Sequence, residues 1–160
     1  MAEIAVSGLA DLKKALEQLP AKIEANIMRG AMRAGSKVLA DKAKAQAPVD
    51  SGDLQRSIKV STRSRRGEIK ATVRAGDKQA YYAHMVEFGT ARHMIPKATT
   101  GRRSKQVVMA FGGTVTSQID HPGAKPKPFM RPAFDNHAQE SLEAFADYVR
   151  KRLAKEAAKA

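Results

Sequence analysis

Between Pro20 and Pro48 the chain runs 27 residues, Ala21 to Ala47, without a proline. Ile23, Ile27, Ala31, Ala34 and Val38 recur there at spacings of four, four, three and four, the period of one face of an α-helix. A helix of that length is about 40 Å long. In a chain of 160 residues this rod sets the scale of the fold, because its apolar stripe has to be covered along most of its length. The stripe is rich in alanine and permits close approach by a neighbour: the chain's own sheet, another subunit, or both. Pro48 ends the helix, since a proline pushes the residue before it out of the helical region.

Ahead of the rod, Ser7 is placed to cap a short helix whose amphipathic face is Leu9, Leu12, Leu16 and Leu19. Behind it, Ala47-Pro48-Val49-Asp50-Ser51-Gly52-Asp53-Leu54 carries turn chemistry. Asp50 is expected to accept hydrogen bonds from downstream amides, and Gly52 to adopt a positive φ. The period then changes to two. Ile58, Val60 and Thr62 alternate with Lys59, Ser61 and Arg63; beyond Ser64-Arg65-Arg66-Gly67, Ile69, Ala71, Val73 and Ala75 alternate with Lys70, Thr72 and Arg74. This predicts an antiparallel hairpin with one buried face, one basic face, and Arg65 and Arg66 at its tip.

Residues 80 to 90 read as a helix that is apolar almost all round. Tyr81, Met85 and Phe88 fall at i, i+4 and i+7, with Tyr82, Val86 and Gly89 on the adjoining stripe. Such a helix is expected to be buried at the centre of the domain and to end at Gly89 in the left-handed conformation. Residues 92 to 127 shift towards glycine, proline and positive charge and read as an extended, mobile arm. Within it, 106 to 111 and 114 to 119 flank Gly112-Gly113 as a second hairpin. Pro128-Phe129-Met130-Arg131-Pro132 leads into a last helix with Pro132 in its first turn and Phe134, Ala138, Leu142, Phe145, Val149 and Leu153 on its inner stripe. Glu87 and Arg131 are expected to form a structural ion pair, and Phe129 and Phe134 to anchor the core. The sum is an α+β fold: a small antiparallel sheet packed by helices, with a long helix in the N-terminal half, a C-terminal helix and an extended basic arm. It is expected to be a single domain over residues 1 to 160, the arm being inserted at about 92–127.

The residue inventory narrows the chemistry. With no cysteine, the chain has no disulfide, no thiolate metal site and no cysteine nucleophile. No apolar run approaches the roughly 18 residues of a membrane span, and no signal peptide is legible at the start, so a soluble protein without membrane contact is expected. His84, His93, His121 and His137 lack paired metal-ligand spacing, and His84 with Glu87 reads as a polar pair at the edge of the core. Gly112-Gly113 is not followed by the Gly-Lys-Ser/Thr of a phosphate loop, and Ser51 and Ser57 have no nucleophile signature. The chain therefore reads as a non-enzyme without cofactor or metal.

The formal charge of +13 is segregated: residues 54–79 hold eight basic against two acidic residues, and 92–131 eight against one, while the remainder is near neutral. Such a distribution faces a polyanion or an acidic partner. Arg63, Arg65, Arg66, Arg102, Arg103 and Lys105 are the candidate contacts to a partner or to DNA. No zinc finger, RNP motif or basic zipper is present, so sequence-specific reading is not expected; generic, salt-dependent phosphate attraction is.

Three motifs, taken together and in order, resemble the neck and tail-completion proteins of long-tailed bacteriophages. They are Ala47-Pro48-Val49-Asp50-Ser51-Gly52-Asp53-Leu54 with Ser57-Ile58; Tyr82-Ala83 through Val86-Glu87-Phe88-Gly89-Thr90; and Pro128-Phe129-Met130-Arg131-Pro132-Ala133-Phe134. The resemblance spans roughly residues 5 to 155 and thins across 92 to 124. It implies a structural virion protein of a tailed phage or prophage that joins head to tail. The expected assembly is a homo-oligomeric ring, a hexamer or similar, around the DNA channel. Its partners would be other neck, connector and tail proteins, with nonspecific contacts to packaged double-stranded DNA. The protein would reside in the virion neck or tail and in the host cytoplasm during assembly. Pro48, Asp50, Gly52, Tyr82, Glu87, Phe88, Gly89, Pro128, Phe129, Arg131 and Pro132 carry the resemblance and are expected to act mainly as structural residues. A nonspecific double-stranded DNA-binding protein is the alternative.

Overall fold

A computed structural model describes residues 8–17, 21–95, 109–111, 114–116 and 119–158. The elements are α1 (Leu9–Glu17), α2 (Ala21–Gln46), α3 (Asp53–Ser57), β1 (Lys59–Arg65), β2 (Glu68–Arg74), α4 (Ala83–Phe88), β3 (His93–Ile95), β4 (Met109–Phe111), β5 (Thr114–Thr116), β6 (Ile119–His121) and α5 (Met130–Ala157). The fold is α+β, and every strand pair among the described residues is antiparallel. The chain divides into two compact units, Met1–Ala83 with Pro128–Ala160, and His84–Lys127.

The first unit is built on α2 and α5. Their chain directions are opposed: Lys42 pairs with Glu140 at 2.9 Å, Gly35 lies against Ser141 and Phe145, and Gly30 against Tyr148. Glycine is what permits this approach. A Cβ on Gly35 would sit 2.7 Å from the backbone oxygen of Ser141, and one on Gly30 would run into the Tyr148 ring. Leu16 of α1, Ile27 and Ala31 of α2 and Val149 of α5 form a buried cluster, flanked by Leu12, Ile23, Met28, Phe145, Tyr148 and Leu153. The long helix thus finds its cover within its own chain, from α1, α5 and the hairpin.

β1 and β2 form the expected hairpin in the register Lys59↔Arg74 to Arg65↔Glu68. Arg66 (φ 53) and Gly67 (φ 80) make the two-residue turn, the double positive φ that matches the twist of the flanking strands. Val60, Thr62, Ile69, Ala71 and Val73 face inward and α2 lies behind the sheet. They are half-buried rather than buried, because a two-stranded ribbon is too narrow to seal its own inner face.

In the second unit, β3 pairs with β6 (His93↔His121 to Ile95↔Ile119) and β4 with β5 (Met109↔Thr116 to Phe111↔Thr114). A bridge at Thr90↔Ala124 adds one further rung. Among its described residues the arm therefore holds two antiparallel strand pairs, β4–β5 falling between β3 and β6 in sequence. The hairpin expected around Gly112-Gly113 forms with shorter strands, and Ile119 belongs to the pair with β3. Gly112, Gly113, Ser7, Leu19 and Pro20 lie outside the described residues.

Two expectations about apolar residues are corrected. α4 has six residues; Tyr81, in the turn before it, and Met85 and Phe88 on it are exposed, Phe88 by 68%. The helix is too short to bury residues on all sides; Ala80, Ala83 and Glu87 are the buried ones. Phe134 is 59% exposed and is no core anchor, whereas Phe129, just before α5, is fully buried. On the inner face of α5, the expected Val149 is buried, with Phe145 and Leu153 packed against the core beside it, and Ala133 and Ala146 are small enough for the close helix pair.

Candidate interaction surface

The loop after α2 is held by its own polar side chains. Gly52 adopts φ 78 at the start of α3, as expected. Ser51 Oγ donates to Asp53 Oδ2 at 2.5 Å, and Arg56 Nη2 donates to Asp53 Oδ1 at 2.5 Å and to the Ser51 carbonyl at 3.2 Å. The Ser51 hydroxyl, and then the Arg56 guanidinium, hold the Asp53 carboxyl below its ordinary range. The amide-accepting role expected of Asp50 falls to Ser51, whose Oγ accepts from the Asp53 amide at 3.4 Å; Asp50 is exposed. Pro48 is half-buried at the exit from α2.

Ser57 is the buried polar residue that ties this loop to the end of the hairpin. Its hydroxyl donates to the Leu54 carbonyl at 2.6 Å and accepts from the Gly76 amide at 2.9 Å, so both of its capacities are used. One residue on, Asp77 accepts from the Ala80 amide at 3.0 Å and the Gln79 amide at 3.1 Å, and lies 3.6 Å from Lys59 Nζ. The Ala80 amide, then the Gln79 amide and Lys59, hold the Asp77 carboxyl below its ordinary pKa range. These contacts fix the path of the chain from the end of β2 to Ala80.

Gly89 ends α4 at φ 73, and a Cβ there would come within 2.6 Å of the Ala124 carbonyl. The same rung is fastened by Thr90 N to Ala124 O at 2.9 Å and by Lys127 N to Val86 O at 2.8 Å. At the foot of the ribbon, Arg92 forms a two-pronged ion pair with Asp120, which lowers the carboxyl's pKa, and the rings of His93 and His121 lie 5.1 Å apart. Among the described residues no group of three or more His, Cys, Asp or Glu is placed to hold a metal. No described helix is long and apolar enough to cross a membrane.

Of the candidate contact residues, Arg63, Arg65 and Arg66 lie together: the first two point outward from β1 and the third occupies the turn, all exposed. Arg102, Arg103 and Lys105 lie outside the described residues. Sequence reasoning undervalued Lys59, Lys70 and Arg74, which the register places on the same outer face. The period-two alternation already held that information. Tyr82 is half-buried, Pro132 is half-buried in the first turn of α5, and Pro128 and Arg131 are exposed.

The family described as "Bacteriophage HK97-gp10, putative tail-component" matches residues 10–89, half of the chain. The chain belongs to this family. The match takes in α1, α2, the Ser51–Asp53–Arg56 loop, the β1–β2 hairpin and α4, and it stops at the Gly89 terminator. The family is one of structural tail components and not an enzyme family, so the chain is a phage tail protein of the virion. The arm and the Pro128–Phe134 motif fall beyond the matched span. No curated protein and no solved structure matches the chain.

Proposed function

We propose that this tail component completes the tail and joins it to the head, as a homo-oligomeric ring, a hexamer or similar, around the DNA channel. The observation that carries the reading is the family match through α1–α4. The segregated charge agrees with it, because a ring around packaged DNA gains from cations gathered on one face. Heterologous contacts between copies would close the ring. Its neighbours are other neck, connector and tail proteins, and it gathers in the host cytoplasm before joining the virion. The 1–160 chain acts as one neck domain, with residues 92–127 as an inserted arm that reaches towards a neighbouring ring.

Replacing Arg63, Arg65, Arg66, Arg102, Arg103 and Lys105 together with glutamate tests the reading in a phage that encodes the protein. Full heads and free tails are expected to accumulate unjoined while the variant stays folded. A wild-type yield of infectious particles would remove these residues from the joining role.

A nonspecific double-stranded DNA-binding protein remains the second reading, favoured by cations on the hairpin that have no acidic partner among the described residues. It requires tight duplex binding by the monomer.

A further inference from the structure

The outer face of the β1–β2 hairpin contains two rungs of like charge. Lys59 stands directly opposite Arg74, and Arg63 directly opposite Lys70. Between them stands a rung of two hydroxyls, Ser61 opposite Thr72. Directly opposed side chains on one face of an antiparallel pair are about 5 Å apart at Cβ, and like charges placed there destabilise the ribbon. Lys59 is drawn to Asp77 at 3.6 Å, and at the other end Glu68 stands opposite Arg65, one rung beyond Arg63 and Lys70. Arg63, Lys70 and Arg74 have no acidic partner among the described residues, and all three are exposed. Ser61, Arg63, Lys70, Thr72 and Arg74 line a shallow hollow of about 520 Å³ on this face.

We infer that this hollow is a binding site for the phosphodiester backbone of nucleic acid, with Arg63, Lys70 and Arg74 supplying charge and Ser61 and Thr72 supplying hydroxyl donors. Arg, Lys, Ser and Thr are the side chains that contact phosphate oxygens without reading sequence. An anion seated over the hydroxyl rung neutralises both flanking rungs at once, which turns the repulsion of the empty ribbon into affinity. The two charged rungs are four residues apart along each strand, about 13 Å, the axial length of about four nucleotides at ~3.4 Å each. An acidic protein partner fits less well. Stable protein interfaces bury an apolar centre and are depleted in lysine, and the outward residues of β1 and β2 include no apolar side chain. The inference deepens the head-to-tail joining reading and rests on it for the source of the phosphates, the duplex DNA of the channel.

The test uses the full chain and a short DNA duplex, with binding followed by fluorescence anisotropy from low to moderate salt. The variant Arg63→Gln/Lys70→Gln/Arg74→Gln is compared with Arg29→Gln/Lys125→Gln/Lys151→Gln, which removes the same charge from other exposed positions. Each phosphate contact contributes about −0.9 to the slope of log K against log salt. The hairpin variant is therefore expected to lose at least tenfold in affinity and to show a slope shallower by about 2 to 3; the control is expected to keep most of both. Equal losses in the two variants would overturn the site in favour of diffuse charge. A wild-type chain that ignores duplex and binds polyglutamate would overturn it in favour of an acidic protein. The melting temperature gives an independent readout: Lys70→Thr is expected to raise it in the absence of DNA, and duplex to raise the wild type more than that variant. An unchanged or lower Tm for Lys70→Thr without DNA would contradict the strained rung. Native mass separates this from the ring: a monomer that binds duplex through the hairpin keeps the site and loses the ring, and a ring indifferent to duplex does the reverse.

Discussion

At the scale of single residues, the fold rests on a few positions where backbone comes unusually close to backbone or where a buried polar group has no alternative partner. Gly35 is the clearest. In an exposed helix, Gly→Ala stabilises by about 1 kcal/mol, but here the added Cβ meets a main-chain oxygen that belongs to α5. Gly35→Ala is expected to destabilise by about 1–3 kcal/mol, read as a lower denaturation midpoint at unchanged slope; a gain in stability would contradict the close helix pair. Ser57→Ala would leave the Gly76 amide without its acceptor and is expected to cost about 1–3 kcal/mol in the same measurement.

Asp53, Asp77, Asp120 and Glu140 have pKa values lowered by partners in the folded state. A lowered folded value means that the unfolded chain takes up protons first as pH falls. Their contribution is therefore complete above the ordinary carboxylate range and lost on acidification below about pH 5. Thermal melts from pH 7 to pH 3 are expected to show this decline, and Asp77→Asn to flatten it; a parallel pH profile for the variant would contradict the assignment.

At the scale of elements, burial separates two phenylalanines five residues apart. Phe129→Ala is expected to cost about 3–5 kcal/mol, whereas Phe134→Ser, at a mostly exposed position, is expected to cost under about 1 kcal/mol; comparable losses in chemical denaturation would contradict the packing described. The same contrast marks what was legible beforehand. α1, α2, the hairpin and α5 were readable because each is long enough for its apolar period to repeat, and proline or glycine marks most of their ends. The Arg66-Gly67 turn followed from local chemistry. α4 misled because apolar residues on every side look like a buried helix, yet six residues make under two turns and leave Tyr81, Met85 and Phe88 outside. β3 and β6 were not legible: three-residue strands hold no alternation, and their pairing joins residues such as His93 and His121 that are distant in the chain. The cationic rungs were half-legible, since alternation gave their face and only the register showed which charges stand opposite each other.

At the scale of the whole molecule, the charge of +13 is an assembly problem. Copies of this chain repel one another unless the near-neutral surfaces meet and the basic segments are held away from the contact. The proposed ring would meet that demand without DNA, and an anion in its channel would then neutralise the basic faces. The most direct test is the native mass of the purified full chain at low and moderate salt, with and without short duplex DNA. The ring account predicts a discrete oligomer of about six copies that forms without DNA. A monomer under every condition, binding duplex tightly and releasing it with salt, would contradict the ring and leave a DNA-binding protein in its place.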